Sequence, residues 1–177
     1  MNQNIRQQIV ISGVGGQGVL FITGLLAETA IDKGLSVFTS ETHGMAQRGG
    51  TVISHLKVGD FSSPLIRPSH ADGLIALKAE NLAQYGAYVK ENGWITINSS
   101  ENLHFALCTL HLFNADQIAQ NIGNPKSVNL IVLGFALAKE KLFCTIDDIR
   151  HTLQKRFAHK ASFLEASLHA LQSGSVA

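Results

Sequence analysis

The chain has 177 residues, 45% of them hydrophobic, which predicts one compact domain with a full core. Lys and Arg number 14 against 13 Asp and Glu, so the formal net charge of +1 provides no field to gather nucleic acid or an anionic membrane. Charged residues make up 15%, below the usual share of about 25%, so we expect a largely neutral surface, as suits a chain buried in an assembly.

The cysteine content bears on redox chemistry. Cys108 and Cys144 are the only two cysteines, which excludes a disulfide framework and is too few for an iron–sulfur cluster with about four thiolate ligands.

The polar segment from Met1 to Gln8 lacks the layout of a signal peptide, so we expect a cytoplasmic protein. The uncharged stretch from Gln7 to Ala27 is long enough for a membrane span, but its polar residues and five glycines favour a buried strand, loop and helix.

The first elements form a strand, a loop, a helix and a strand. Ile9-Val10-Ile11 is a β-branched run that predicts a fully buried strand. Val19 to Lys33 predicts a helix that Gly34 terminates, and Leu35 to Thr39 predicts a second strand. The two strands of this unit are expected to be parallel.

The later elements alternate and then become helical. The predicted strands are Thr51 to Val58, Gly73 to Leu77, Trp94 to Ile97 and Cys108 to Leu112. The predicted helices are Glu80 to Lys90, followed by a turn at Gly93, and then Asp116 to Asn121, Val128 to Lys139, Ile146 to Arg156 and Ser162 to Gln172. This order predicts an α/β fold, a three-layer α/β/α single domain with a mostly parallel or mixed sheet and a helical C-terminal part.

A glycine-rich loop joins the first strand to the first helix. Gly13, Gly15 and Gly18 match the spacing G-x-G-x-x-G in the strand-to-helix context that the motif requires. Glycines let the backbone approach a ligand closely, and the N–H groups at a helix N-terminus attract phosphate. The alternative is a tight turn that serves packing alone.

The ligand of such a loop need not be a dinucleotide. A nicotinamide site usually has an acidic residue about 20 residues after the loop, at the end of the second strand, to hold a ribose. Phe38, Thr39 and Ser40 occupy that zone, and Glu41 comes slightly late. This argues against NAD without excluding it.

A second polar segment, Glu41 to Gly50, follows the second strand. Because ligands bind at the carboxyl edge of open α/β sheets, this segment and the glycine loop are expected to share one cleft. Arg48 is a candidate to pair with a phosphate or carboxylate, and His43 to donate a hydrogen bond or bridge to a partner chain. The alternative for Arg48 is a surface ion pair with Glu41.

No other group of residues suggests catalysis or metal binding. The remaining seven histidines lack zinc-ligand spacing, and no cysteine lies near a histidine pair. Asp147 and Asp148 most simply begin a helix after Thr145, where acidic side chains complement the helix dipole.

The two polar segments together carry a family resemblance. Gly13 to Gly18 followed by Glu41 to Gly50 closely resembles the β subunit of indolepyruvate ferredoxin oxidoreductases, within the wider 2-oxoacid:ferredoxin oxidoreductase family. The resemblance extends to Asp72 to Leu77 and Asn129 to Gly134, so it covers nearly the whole chain. It implies that residues 1–177 form one gamma-type domain of that family.

The resemblance also implies a reaction. Thiamine diphosphate attacks a 2-oxo acid, CO₂ leaves, electrons pass through iron–sulfur clusters to ferredoxin, and the acyl group reaches coenzyme A. This chain is then an oxidoreductase subunit, inactive alone, that helps bind coenzyme A and complete a complex whose large partner carries thiamine diphosphate and the clusters. An arylpyruvate such as indolepyruvate is the substrate that the segment at Glu41 favours.

The site residues carried over are all cofactor-binding, with none assigned to catalysis or metal. They are Gly13, Gly15, Gly16, Gln17, Gly18, Glu41, His43, Gln47, Arg48 and Gly49. Two alternatives stay open: a free-standing NAD(P)-binding oxidoreductase, and a purely structural subunit whose glycine loop holds only backbone.

Overall fold

The computed structural model describes residues 5–43, 50–106, 108–140 and 142–177 and contains one six-stranded sheet. The strands are β1 (Gln7–Val14), β2 (Val37–His43), β3 (Thr51–Val58), β4 (Ala71–Ala76), β5 (Val89–Asn98) and β6 (Thr109–Phe113). The helices are α1 (Val19–Asp32), α2 (Asn81–Tyr85), α3 (Ala115–Asn121), α4 (Val128–Lys139), α5 (Ile146–Arg156) and α6 (Ala161–Ser175). Short 3₁₀ turns lie at Gly86–Tyr88 and Pro125–Ser127.

The strand order across the sheet is β2-β3-β1-β4-β5-β6. β3 is antiparallel to both of its neighbours, and all other pairs are parallel, so the predicted α/β class with a mixed sheet is confirmed. β1 and β2 run in the same direction, as predicted, but β3 lies between them. The carboxyl ends of β1 and β2 and the start of β3 therefore share one edge of the sheet.

β1 is the buried centre of the sheet, as its β-branched run predicts. Ile9 and Ile11 pack into the core on the face that carries α1 and the C-terminal helices, and Val10 packs into the core on the other face. All three side chains are fully buried. The uncharged stretch thus forms β1, the glycine loop and α1, and no helix in the described ranges is long and apolar enough to cross a membrane.

Helices α4 and α6 approach one another at two glycines. A Cβ atom on Gly134 would lie 2.1 Å from the carbonyl oxygen of Leu171, and one on Gly174 would lie 1.9 Å from that of Ile131. Because real Cβ atoms do not come this close to backbone, both positions require glycine. The contact sets the spacing of the two helices that wall the candidate site.

The second face of the sheet has a thinner cover, made of α2, the turn at Gly86–Tyr88 and irregular segments. The predicted helix from Glu80 to Lys90 is wrong in its second half, because α2 ends at Tyr85 and Lys90 lies in β5. Gly86 packs against the Phe105 ring, where a Cβ would come within 2.7 Å of Cε2. Tertiary packing at this glycine and pairing of β5 with β4 override the helical pattern.

The predicted turn at Gly93 is also wrong, since Gly93 lies within β5. β4 advances two residues from Ala71 to Gly73 while β5 advances five, from Val89 to Trp94, so β5 bulges there. Asn92 absorbs the irregularity with a φ of 61°. Gly93, which suggests a chain reversal in the sequence, therefore lies at a bulge within β5.

Helix α5 begins as predicted from its acidic residues. Thr145 Oγ1 accepts a hydrogen bond from the Asp148 backbone N–H, and the Asp148 carboxylate accepts one from the Thr145 N–H, which completes a capping box. Asp148 Oδ2 also pairs with Lys33 at 2.8 Å and so ties α5 to the end of α1.

Candidate functional site

The glycine loop connects the carboxyl end of β1 to the N-terminus of α1. Gly16 and Gly18 have φ values of 91° and 86°, a left-handed conformation that side chains rarely adopt. Gly18 is the N-cap of α1 and no side chain caps this helix. The sequence therefore uses glycine where the backbone must turn sharply and leaves the helix end open.

Hydrogen bonds within the loop fix its shape. The Gln17 N–H donates to the Val14 carbonyl at 3.0 Å, and the Val14 N–H donates to Gln17 Oε1 at 2.7 Å. The Gln17 side chain thus closes the loop on itself. Gln17, which the family resemblance assigns to cofactor binding, therefore also stabilises the loop.

The loop leaves a set of backbone donors unused. Among the described residues, the N–H groups of Gly16, Gly18, Val19 and Leu20 have no hydrogen-bond partner. The first N–H groups of a helix have no intrahelical acceptor, and the helix dipole adds a partial positive charge there. Such a row of N–H groups is suited to a phosphate.

Asn129, near the start of α4, lies directly behind Gly18. A Cβ atom on Gly18 would come 2.1 Å from Asn129 Nδ2. Asn129 Oδ1 accepts the Leu130 N–H at 2.8 Å, so the amide nitrogen is the atom turned toward the loop. Sequence reasoning did not assign Asn129 to the site, although a polar residue that opens an otherwise apolar helix was a usable signal.

A groove adjoins the N-terminus of α1. Its volume is about 330 Å³, and its apolar walls come from Phe21 of α1, Leu130 of α4 and Phe163 of α6. Phe157 connects these walls, since its ring centroid lies 6.2 Å from that of Phe21 and 4.6 Å from that of Phe163. The polar lining residues are Asn124, Lys126, Ser127, Asn129 and Ser167. The groove thus has an apolar body and reaches the glycine loop through Asn129.

The second predicted segment meets the glycine loop at its last residue. The Gly15 N–H donates to the Gly50 carbonyl at 3.0 Å, so Gly50 lies beside the loop. Glu41 lies in β2 opposite Ser54 and is exposed, and His43 ends β2. Gln47, Arg48 and Gly49, and the His43 side chain, lie outside the described residues, as does the alternative Arg48 to Glu41 ion pair.

The thiols lack nucleophilic activation. Burial raises the pKa of Cys144 to about 12, with the charge of Asp148 acting in the same direction, and burial also raises the pKa of Cys108. Because the thiolate is the reactive form, neither side chain is prepared for covalent chemistry. No group of three or more potential metal ligands exists among the residues that the structure describes.

A family model described as pyruvate ferredoxin/flavodoxin oxidoreductase matches residues 8–177. The chain belongs to this family. The indolepyruvate oxidoreductase subunit IorB of Archaeoglobus fulgidus is 30% identical over 96% of this chain and 94% of that protein. The family resemblance that the two polar segments predicted is therefore confirmed.

Solved structures of family members share the fold. The gamma subunit of a keto/oxoacid ferredoxin oxidoreductase from Geobacter sulfurreducens superposes with a TM-score of 0.80 at 25% identity, over 96% of both chains. The 2-oxoglutarate:ferredoxin oxidoreductase of Magnetococcus marinus superposes with a TM-score of 0.81 at 18% identity. That match covers 98% of this chain but 31% of the other, whose structure contains 2-oxoglutarate, coenzyme A and succinyl-CoA. In that enzyme the domain is one part of a longer polypeptide.

Proposed function

We propose that this chain is the small subunit of a 2-oxoacid:ferredoxin oxidoreductase and that its glycine loop and groove help bind coenzyme A. The observation that carries the proposal is the row of unpaired N–H groups at Gly16, Gly18, Val19 and Leu20, which opens beside an apolar groove. Coenzyme A combines a pyrophosphate with an adenine ring and a long, weakly polar arm. The two parts of the site suit these two parts of the ligand.

Different residues of the site would bind different parts of coenzyme A. The loop N–H groups would bind a pyrophosphate oxygen, with Asn129 Nδ2 as a further donor behind Gly18. Phe21, Leu130 and Phe163 would pack against the ring or the arm, and Lys126 would offer a positive charge at the rim. We assign His43, Gln47, Arg48, Gly49 and Glu41 to the same cleft or to the contact with the partner, since their segment ends at Gly50 beside the loop.

The redox chemistry belongs to the partner in this proposal. Thiamine diphosphate supplies the carbanion that releases CO₂ from the 2-oxo acid, and iron–sulfur clusters carry the electrons to ferredoxin. Two cysteines in the whole chain are too few for cluster ligation. Residues 1–177 would accordingly act as one gamma-type domain, in the cytoplasm, bound to a large subunit that holds both groups.

The name of a similar protein supports an arylpyruvate as the substrate. The IorB protein of Archaeoglobus fulgidus is named as an indolepyruvate oxidoreductase subunit and aligns over 94% of its own length. Identity of 30% supports the family more strongly than the substrate, because a family shares a fold while specificity depends on pocket residues. The substrate pocket itself would lie mainly on the large subunit.

The position of Glu41 disfavours a free-standing NAD(P) enzyme. A ribose-binding acid lies at the end of the strand next to the glycine-loop strand, but here β3 separates β2 from β1. At about 4.8 Å per strand, Glu41 is roughly 10 Å from β1 across the sheet, twice the distance of a residue on a neighbouring strand. The remaining alternative, a structural subunit with an empty loop, requires a binding experiment.

Calorimetric titration of coenzyme A and NADH into the purified full-length chain, and into its complex with the large subunit, tests the proposal. Gly15→Val is the informative variant, because among the described residues a Cβ there meets only the Gly50 carbonyl at 3.6 Å, so the fold should tolerate it while the loop is obstructed. Gly24→Ala on α1 is the control, since its nearest contact is Arg156 Nη1 at 3.7 Å. We expect coenzyme A affinity to fall about tenfold or more in Gly15→Val only. Equal affinities would establish the structural alternative.

A further inference from the structure

A cluster of three cations lies on the second face of the sheet, at the edge opposite the glycine loop. Lys57 of β3 lies opposite Gln8 of β1 in the strand register, and Arg6 precedes β1 by one residue. The Arg6 guanidinium lies 4.5 Å from the Phe61 ring centroid, and Lys57 Nζ lies 5.1 Å from the same centroid. Arg67 is the third cation: the N–H of the preceding residue, Ile66, donates to His55 Nδ1 of β3 at 3.3 Å, which holds this segment beside Lys57.

Lys57 is unusual because its side chain is largely covered but has no counter-charge in the described ranges. The residue is only 7% exposed, and within the described ranges its ammonium group forms no hydrogen bond or ion pair. Arg6 and Arg67 also have no acidic partner there. Cations without a partner carboxylate are available to bind an anion through charge-assisted hydrogen bonds. The carboxylate on the same side, Asp72, is occupied by Lys90 and by the Gln8 N–H.

Asp60 lies between Gly59, which packs against the Arg6 backbone, and Phe61, but in the described ranges it forms no ion pair with Arg6, Lys57 or Arg67. Burial, and then the charges of Arg67 and Arg6, lower the pKa of Lys57, and no acidic side chain opposes them. The neighbouring His55 has a pKa lowered by burial and by Lys57, and its Nδ1 accepts the Ile66 N–H at 3.3 Å, so the ring is neutral. The preceding residues, Met1 to Asn4, contain no carboxylate. Three positive charges thus converge in a chain whose net charge is +1.

We infer that Arg6, Lys57 and Arg67 form a binding site for a phosphate group, separate from the glycine loop. Two guanidinium groups and an ammonium suit the several oxygens and the double charge of a phosphate better than a single carboxylate. Phe61 supports the two cations that contact its ring. β1 separates the two sites, and its eight residues span roughly 26 Å, so one coenzyme phosphate group bound at the loop cannot also occupy this cluster.

Titration of inorganic phosphate into the full-length chain at low chloride concentration tests the site. Lys57→Met keeps the buried stem and removes the charge, and Arg67→Gln changes an exposed residue that should not affect folding. Lys90→Met is the matched control, because that lysine is paired with Asp72. We expect phosphate to bind about tenfold more weakly in the first two variants and unchanged in the control. Equal affinity in all four proteins would overturn the inference.

Two further measurements separate this site from other anion sites. The phosphate titrations are repeated with Gly15→Val, in which the glycine loop is obstructed. Phosphate binding that is unchanged in this variant does not occur at the loop, so the test of the cation cluster does not depend on the coenzyme A proposal. Phosphate should also raise the Tm of the parent protein more than that of Lys57→Met, since it binds only the folded state. Phosphate binding that survives in the complex with the large subunit supports a small-molecule site. Its loss on assembly would mean that a partner carboxylate occupies the cluster, and would overturn the assignment to phosphate.

Discussion

The backbone N–H of Gly15 donates to the carbonyl oxygen of Gly50 at 3.0 Å. This bond joins the glycine loop to the end of the second polar segment, which is 35 positions later in sequence. It is possible because β3 returns between β1 and β2 and starts at the edge where β1 ends. The glycine loop and the second polar segment, which the sequence predicts to share one cleft, are therefore in direct contact at Gly15 and Gly50.

Gly18→Ala should weaken both the fold and coenzyme A saturation. The substitution places a Cβ at a φ of 86° and 2.1 Å from Asn129 Nδ2. We expect a loss of about 1–3 kcal/mol in the free energy of unfolding, from left-handed strain and overpacking. Urea unfolding measures this loss, and coenzyme A dependence of the reconstituted complex should give a raised KM.

The double variant Gly18→Ala with Asn129→Ala distinguishes the two causes. Removing the amide relieves the clash but not the backbone strain, so the double variant should lose less stability than the sum of the single variants. Strictly additive losses would mean that Asn129 does not press on Gly18.

Gly134→Ala should force α4 and α6 apart. A Cβ at this position would lie 2.1 Å from the Leu171 carbonyl oxygen, and backbone cannot move aside as a flexible side chain can. We expect about 2–3 kcal/mol of destabilisation by chemical denaturation. Gly24→Ala is the matched helical control and should stabilise the protein by about 0.5–1 kcal/mol, because its Cβ has room. A neutral Gly134→Ala would contradict the close helix contact.

The capping box at α5 should contribute stability that depends on acid pH. Burial alone would raise the pKa of Asp148, but its hydrogen bonds with Lys33 and Thr145 outweigh that effect and lower the pKa below the ordinary 3.8. A lowered pKa in the folded state means that the contribution is complete above pH 3.8 and is lost as pH falls through the lowered pKa.

Asp148→Ala should therefore cost about 1 kcal/mol at pH 7 and nothing once the carboxyl of the parent protein is protonated. Asp147→Ala is the control, because that side chain is 84% exposed and pairs only with Arg150 among the residues described. Thermal unfolding of the three proteins between pH 7 and about pH 2 measures the difference. A gap that persists at the acid end would rule out the carboxylate as its source.

The isolated chain should be colourless and inactive. It has too few thiols for a cluster, and its two cysteines have raised pKa values. Activity should appear only when a large subunit with thiamine diphosphate and iron–sulfur clusters is added. Absorption spectra and an assay of CO₂ release check both points, and decarboxylation by the purified chain alone would refute them.

The reconstituted complex should prefer arylpyruvates. An apolar pocket gains from burial of an aromatic ring and penalises a second carboxylate, so kcat/KM should be much higher for indolepyruvate or phenylpyruvate than for pyruvate or 2-oxoglutarate. Steady-state kinetics with these four substrates measures the preference. A preference for 2-oxoglutarate would overturn the arylpyruvate assignment and leave family membership unaffected.

Local sequence was sufficient for the parts of the molecule that depend on neighbours along the chain. The β-branched run at Ile9 predicts a buried strand, and the glycine spacing from Gly13 predicts the turn into α1. Thr145 with Asp148 predicts the start of α5. In each case the hydrogen bonds or the periodic pattern are satisfied within a few residues, so the sequence contains the information directly.

Long-range contacts decided the rest. The insertion of β3 between β1 and β2 moves Glu41 away from the glycine loop, and pairing of β5 with β4 ends α2 early. Asn129 reaches Gly18 only because α4 packs behind α1, and Lys57 becomes buried only because Phe61 and the segment before β4 cover it. Strand pairing and side-chain burial depend on residues far apart in sequence, and their free energies exceed the local preferences that a sequence pattern records.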